Sequence, residues 1–166
     1  MNDTKEFIEN VIETLKLVPL DIEGGMVRES YVSDVKLNDD PAGTAIYYLL
    51  TDRSFSHLHR LSADEIYHFY LGEPVELLLL YPDGSFEITI LGSDILNGEL
   101  VQKLVPAGTW QGSRLKPGGK FALMGTTMTP GYTPECYEHG DAEVLKEQYQ
   151  EVSEMIERLT GEIHSY

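Results

Sequence analysis

Residues 56–72 have the sequence SHLHRLSADEIYHFYLG, and this stretch indicates the fold and holds the best candidates for a chemical site. It combines three of the five histidines with the acidic pair Asp64 and Glu65. Two runs of β-forming residues flank a short turn, which is typical of consecutive strands. We therefore expect strands over residues 56–61 and 65–71.

Side chains on a strand alternate between its two faces, so His57 and His59 are expected to point the same way. By the same alternation, Glu65, Tyr67 and Phe69 share one face of the next strand. If both sets face the inside of one sandwich, the two imidazoles and the Glu65 carboxylate form a partial ligand set for one divalent metal such as Fe, Mn, Ni or Zn. A His-x-His pair on a solvated strand is the competing interpretation.

The chain is strongly acidic, with 12 Lys and Arg against 28 Asp and Glu and a formal net charge of −16. Such a surface repels phosphate backbones and anionic bilayers, so we expect neither nucleic acid nor a membrane as a partner. The longest apolar run, residues 77–81, is too short to span a membrane. Cys136 is the single cysteine, and residues 1–6 lack the regions of a signal peptide, which predicts a cytoplasmic protein.

A length of 166 residues predicts one domain over residues 1–166. Apolar residues at helical spacing predict one helix over about residues 4–17 and another over about residues 141–160. Short β-type runs fill the region between them, about residues 22–130: 26–31, 45–50, 56–61, 65–71, 75–81, 86–91, 101–105, 109–115 and 121–128. The sequence thus predicts an all-β core, an antiparallel sandwich or barrel with a helix at each end.

A second site segment is residues 105–114, VPAGTWQGSR, in which Pro106 and Gly108 indicate a tight turn before a strand. Gln111 would share a face of that strand with Thr109 and Ser113. We expect Gln111 to hydrogen-bond a substrate.

Together these segments resemble the two cupin motifs, which pair His-x-His and a spaced Glu…Gly with a later Pro-x-Gly-x-x-His. Glu65 and Gly72 fit the first motif, and Pro106 with Gly108 fits the start of the second. Two departures are visible: one extra residue lies between the His-x-His pair and Glu65, and Gln111 occupies the position of the second-motif histidine. An amide binds divalent metals weakly, so the second departure weakens the case for a transition metal.

The chain resembles one cupin subgroup most, the DUF985 (Cupin_5) family, and the resemblance covers about residues 5–150. The stretches that carry it are residues 23–31 (EGGMVRESY), 44–47 (TAIY), 56–60 (SHLHR), 63–69 (ADEIYHF), 77–79 (LLL) and 105–112 (VPAGTWQG). The resemblance implies a jelly-roll β-sandwich, usually a homodimer, with a small-molecule pocket at one end of the barrel. It implies no particular reaction.

Residues 25–30, GMVRES, are also similar to the early strand of the nucleotide-sugar 3,5-epimerases, which are RmlC-like cupins that use a histidine base without metal. That similarity is short, and the histidine context of the epimerases is not reproduced here. No catalytic residue is therefore carried over from them.

His57 and His59 are the first candidates for the site, either as metal ligands or with one imidazole acting as a general base. Glu65 is the third ligand if a metal is bound, and otherwise orients one imidazole through a hydrogen bond.

Four further residues are candidates for contacts with a substrate. Tyr67 and Phe69 would line the wall of the pocket, although ordinary core packing explains them equally well. Arg28 on an early strand would hold an anionic group of the substrate, with Glu29 beside it. A surface salt bridge explains Arg28 and Glu29 equally well.

Three functions are compatible with these residues. The leading one is a small-molecule-binding cupin, an isomerase or epimerase of a sugar-like or polar metabolite with His57 or His59 as the base. The second is a metal-dependent enzyme of oxygenase type that uses His57, His59 and Glu65. The third is a non-enzymatic metabolite-binding or sensor module, which the sequence does not separate from the first because both need the same polar pocket.

Overall fold

The computed structural model describes residues 2–166; Met1, the first residue of the predicted domain, lies outside the described residues. Helix α1 spans Asn2–Leu15, and α2 (Ala142–Gln148) and α3 (Ser153–Arg158) follow the strands. The strands are β1 (Val18–Pro19), β2 (Met26–Val32), β3 (Lys36–Leu37), β4 (Asp40–Pro41), β5 (Thr44–Thr51), β6 (Ser56–Leu61), β7 (Asp64–Gly72), β8 (Val75–Leu80), β9 (Phe86–Leu91), β10 (Gln102–Val105), β11 (Trp110–Leu115), β12 (Phe121–Thr129) and β13 (Tyr137–His139).

Two antiparallel sheets form a β-sandwich. The first has the order β1-β2-β5-β12-β7-β10 and the second β13-β6-β11-β8-β9, while β3 and β4 form a separate hairpin. The main core lies between the sheets, where Tyr48 and Met124 of the first sheet pack against Leu77 and Leu79 of the second. The predicted sandwich with flanking helices is confirmed.

Each sheet is covered on part of its outer face by a terminal helix. α1 packs through Ile8 against Leu49 and Leu123 of the six-stranded sheet. The C-terminal segment packs through residues such as Leu145 and Ile156 against the five-stranded sheet.

The C-terminal segment is not the single helix that its periodicity predicts. The chain leaves helical geometry at Tyr149, which has φ −126° and ψ 61°, and a 3-10 turn at Gln150–Val152 leads into α3. The break lets the Tyr149 side chain bury itself, and its hydroxyl donates a 2.7 Å hydrogen bond to the carbonyl oxygen of Tyr81. An apolar stripe reports which residues are buried, but it does not reveal such a break.

The remaining differences are short elements. The sequence analysis missed β1, β3, β4 and β13, each of two or three residues, and β13 later proves to contribute to the site. No helix within residues 2–166 is long and apolar enough to cross a membrane.

Candidate functional site

A cavity of about 210 Å³ opens at the end of the sandwich where β5 begins and β12 ends. We call it the acidic cavity, because three carboxylates line it. Apolar and aromatic side chains make most of its wall: Leu20, Ile22, Val27, Ile46, Leu61, Met128, Tyr132 and Tyr137. The polar lining consists of Glu23, Glu29, Glu65, His59, Thr44 and Thr126.

His59 is the one imidazole that lines this cavity. Its Nδ1 lies 2.7 Å from the carbonyl oxygen of His57, and its ring stacks on Tyr137 with 5.0 Å between the ring centroids. The Nε2 atom lies 3.8 Å from Oε2 of Glu23, which is beyond hydrogen-bond distance. The backbone contact and the stacking therefore fix the ring while Nε2 keeps its bonding capacity.

His57 does not join His59, so the expected convergence of the two imidazoles is corrected. A β-bulge in β6 is the reason: Gln111 pairs with His59, but Ser113 pairs with Ser56, so two residues of β6 oppose one of β11. The extra residue breaks the alternation of faces. The His57 ring instead stacks on His139 at 3.8 Å between centroids, and burial lowers the pKa of His57.

The same bulge turns Ser56 toward the interior, where it holds Glu23. The Ser56 hydroxyl donates a 2.5 Å hydrogen bond to Oε1 of Glu23, and the backbone N–H of His57 donates to the carbonyl oxygen of Glu23 at 2.8 Å. Gly24 follows with φ +104°, and a Cβ there would lie 2.2 Å from the carbonyl oxygen of Phe55. Only glycine permits this turn, which fixes Glu23 beside His59.

Glu65 is buried and is held by the residue at the second-motif position. Nε2 of Gln111 donates a 2.8 Å hydrogen bond to Oε2 of Glu65, while Oε1 of Gln111 has no partner within residues 2–166. Burial raises the pKa of Glu65. Gln111 is not among the lining residues, so the structure places it as a support for Glu65.

The other candidates divide between the cavity and the rest of the molecule. Glu29 lines the cavity. Tyr67 and Phe69 do not, because both belong to the core between the sheets. Arg28 points away from the cavity, and its Nη1 donates a 3.1 Å hydrogen bond to the carbonyl oxygen of Leu15 at the end of α1. Arg28 thus supports the helix end and does not reach a ligand in the cavity.

Most of the lining residues were not proposed from the sequence, among them Glu23, Tyr132 and Tyr137. Tyr137 comes from the short edge strand β13, and its hydroxyl donates a 3.1 Å hydrogen bond to the carbonyl oxygen of Ile22. The Gly24-Gly25 pair could have indicated that Glu23 lies at a tight backbone turn, because glycine permits positive φ angles. For Tyr132 and Tyr137 no local pattern predicts a contact with β6.

The donor set does not fit the predicted transition metal. Within residues 2–166, no group of three or more His, Cys, Asp or Glu side chains is arranged to hold a metal ion. His57 lies against His139, and one oxygen of Glu65 accepts the amide of Gln111. The set His57, His59 and Glu65 is not assembled, and we derive no chemistry through a metal.

Comparisons with known proteins agree with the fold. Protein SO0799 from Shewanella oneidensis is 32% identical, with a TM-score of 0.86 over 93% of this chain and 97% of its own. A hypothetical protein from Leishmania major is 29% identical, with a TM-score of 0.86 over 93% of this chain and 98% of its own. The uncharacterized Saccharomyces cerevisiae protein YML079W is 34% identical over 93 residues, which is 54% of this chain and 46% of the yeast protein. This chain therefore matches less than half of the yeast protein's length.

An enzyme of known activity shares the architecture at low sequence identity. Oxalate decarboxylase from Bacillus subtilis is 16% identical, with a TM-score of 0.55 over 87% of this chain and 37% of its own. This likeness shows the fold alone. The model of the Cupin_5 family, described as Cupin superfamily (DUF985), matches residues 9–140. The chain therefore belongs to the Cupin_5 family.

Proposed function

We propose that the protein binds a small neutral or cationic metabolite in the acidic cavity and catalyses a proton transfer on it, as an isomerase or epimerase does. The observation that carries this proposal is that His59 lines the cavity while its Nε2 atom has no protein hydrogen bond, with Oε2 of Glu23 3.8 Å away.

The tautomer of His59 follows from its backbone contact. A carbonyl oxygen only accepts hydrogen bonds, so the 2.7 Å contact requires that Nδ1 carries the proton. In the neutral ring Nε2 then has a free lone pair, and this is the form that a general base needs.

The lining also selects the charge of the ligand. Glu23, Glu29 and Glu65 line the cavity, and no Lys or Arg within residues 2–166 does. An anionic ligand would meet the uncompensated negative charge of Glu23 and Glu29 in a partly desolvated space. A neutral polar ligand or a cation meets hydrogen-bond acceptors, and its carbon skeleton packs against the apolar wall.

Glu65 supplies the acid that complements this base. Its raised pKa keeps the carboxyl group protonated to a higher pH than an exposed glutamate. For a metabolite with an acidic C–H beside a carbonyl group, His59 Nε2 removes the carbon-bound proton while Glu65 donates its proton to the carbonyl oxygen. The enol formed accepts the proton back at carbon, and the Glu65 carboxylate recovers its proton from the enol hydroxyl.

The test follows carbon-bound protons by NMR in D₂O, with a panel of neutral ketoses and amino ketones as probes. We expect deuterium to enter the C–H beside the carbonyl group of at least one probe with the native protein and with His57→Gln, and to stay out with His59→Gln. Undiminished exchange with His59→Gln would contradict the assignment of the base. A probe that binds tightly with no exchange would instead indicate a binding or sensor module.

We also propose that the chain forms the homodimer expected of its family, through an exposed apolar patch on β7 and β10. Ile66 and Leu104 are paired across these strands and are 36% and 49% exposed. Light scattering should give twice the mass of one chain for the native protein. Leu104→Glu should shift it toward the monomer, because a charge opposes burial of the patch.

A further inference from the structure

A second cavity, of about 230 Å³, lies at the opposite end of the sandwich from the acidic cavity, where β5 and β11 end. We call it the cationic cavity. Its lining includes four cations, Arg53, Arg114, Lys116 and Arg158, and within residues 2–166 its single acidic lining residue is Asp52. Nothing in the proposed function uses these residues.

This concentration of positive charge is unexpected in so acidic a chain. The protein has 12 Lys and Arg in total against 28 Asp and Glu, yet four of the 12 line one cavity. Like charges repel, and abundant carboxylates favour dispersed, paired cations. The grouping therefore concentrates positive charge that a bound anion would neutralise.

The cations of this cavity are also poorly neutralised by the protein. Within residues 2–166, no carboxylate lies within 4.0 Å of the charged groups of Arg53, Arg114 or Lys116. Glu76 is paired with Arg114 across β8 and β11, but the two side chains form no ion pair. Arg158 has only Glu154, at 3.9 Å. Asp52 is already bound by Lys120 at 2.8 Å.

The backbone around the cavity is held in place. The Ser54 hydroxyl accepts a 2.9 Å hydrogen bond from the backbone N–H of Thr51, and Thr51 Oγ1 accepts the N–H of Arg53 at 3.3 Å. On the other side, the N–H of Gly119 donates to the carbonyl oxygen of Lys116 at 3.0 Å. These turns present Arg53 and Lys116 from two separate loops toward one volume.

We infer that the cationic cavity is a binding site for a phosphate group, either free or carried by a small phosphorylated metabolite. Guanidinium groups match the geometry of phosphate oxygens through paired N–H donors, and the lysine adds a point charge. Arg114 lies on β11 and Arg158 on α3, so a bound phosphate would also connect the sandwich to the C-terminal helices. This site is independent of the acidic cavity and its chemistry.

Calorimetric titration of the full chain with pyrophosphate, inorganic phosphate and malonate tests the inference. Pyrophosphate should bind with one site per chain, more tightly than phosphate, and with affinity that falls as salt rises. Arg114→Gln should weaken pyrophosphate binding by about tenfold or more, since it removes charge-assisted hydrogen bonds. Arg53→Gln, at an exposed position, provides a second variant that leaves the core untouched.

Lys36→Gln is the matched control, because it removes one positive charge from the exposed hairpin strand β3, outside the cavity. It should leave the affinity for pyrophosphate unchanged within about twofold. Three results would overturn the inference: no saturable binding of pyrophosphate, equal losses with Lys36→Gln and Arg53→Gln, or malonate binding at least as tightly as pyrophosphate. The last result would assign the cavity to carboxylates.

Discussion

The two ends of the sandwich carry cavities of similar volume, about 210 and 230 Å³, and of opposite charge. β5 connects them, with Thr44 lining one and Thr51 the other. In the acidic cavity two of the three carboxylates are fixed, because Ser56 holds Glu23 and Gln111 holds Glu65, while Glu29 is exposed. In the cationic cavity, Arg53 and Lys116 are exposed and have no ion partner within residues 2–166.

This difference separates two kinds of binding. Fixed, buried groups are suited to chemistry, since they hold a base and an acid in position before a substrate arrives. Exposed cations are suited to capture an anion, with an affinity that depends on salt. We therefore expect substitutions at the acidic end to alter rates, and substitutions at the cationic end to alter affinity for anions.

The largest expected effect is that of Glu65→Gln on proton exchange. Loss of the general acid should lower the rate by about 10²–10⁴-fold. In the native protein the rate should fall as pH rises through the raised pKa of Glu65, because the protonated form is the one that donates. Rates measured by NMR across pH test this, with Asp52→Asn at the other end as the control that keeps the native profile. A pH profile without an alkaline fall would contradict the role of Glu65.

Substitutions of glycine compare the rigidity of the two ends. Gly24 and Gly118 have similar φ values, +104° and +92°, so alanine is strained at both. A Cβ at Gly24 would lie 2.2 Å from the carbonyl oxygen of Phe55, whereas one at Gly118 meets no atom within 4 Å. We expect Gly24→Ala to lower the free energy of unfolding by about 3 kcal/mol and Gly118→Ala by about 1 kcal/mol. Urea denaturation measures both, and equal losses would show that the Glu23 turn is no tighter than the loop at the cationic end.

The smallest effect on stability is expected for Asp52→Asn. The pair that Asp52 forms with Lys120 is exposed, with side-chain exposures of 43% and 58%, so its loss should change the free energy of unfolding by less than about 1 kcal/mol. The same change removes the single acidic residue within residues 2–166 that lines the cationic cavity. Pyrophosphate should therefore bind more tightly to the variant, by roughly two- to fivefold at low salt. Weaker binding would contradict the electrostatic account of that cavity.

The sandwich was predictable because its buried strands are runs of apolar, β-forming residues in the sequence. β8, for example, has the run Val75–Leu80 between turn residues, and five of its six residues are buried. At the site, His59, Glu65 and Glu29 were predicted and do line the acidic cavity. For Glu65 the alternation of faces was interpreted correctly, because Glu65, Tyr67 and Phe69 are the buried residues that alternate along β7.

The errors arise where the chain departs from regular geometry. One bulge in β6 separates His57 from His59, and a strand-forming sequence does not show where such a one-residue shift in pairing occurs. Tyr137 reaches the site from β13, which follows β6 by more than 70 residues, as the Tyr137–Leu61 pairing shows. The cationic cavity was missed for a related reason: Arg53, Arg114 and Arg158 are far apart in the chain, and only the fold brings them together.

The imidazole tautomer of His59 decides whether Nε2 is the free base of the acidic cavity. Long-range ¹H–¹⁵N NMR at neutral pH identifies the protonated nitrogen, and loss of the signals in His59→Gln assigns them. For the neutral ring we expect a proton on Nδ1, donated to the carbonyl oxygen of His57, and a lone pair on Nε2. A proton on Nε2 with a bare Nδ1 would contradict it, because the lone pair would then face a backbone carbonyl and not the cavity.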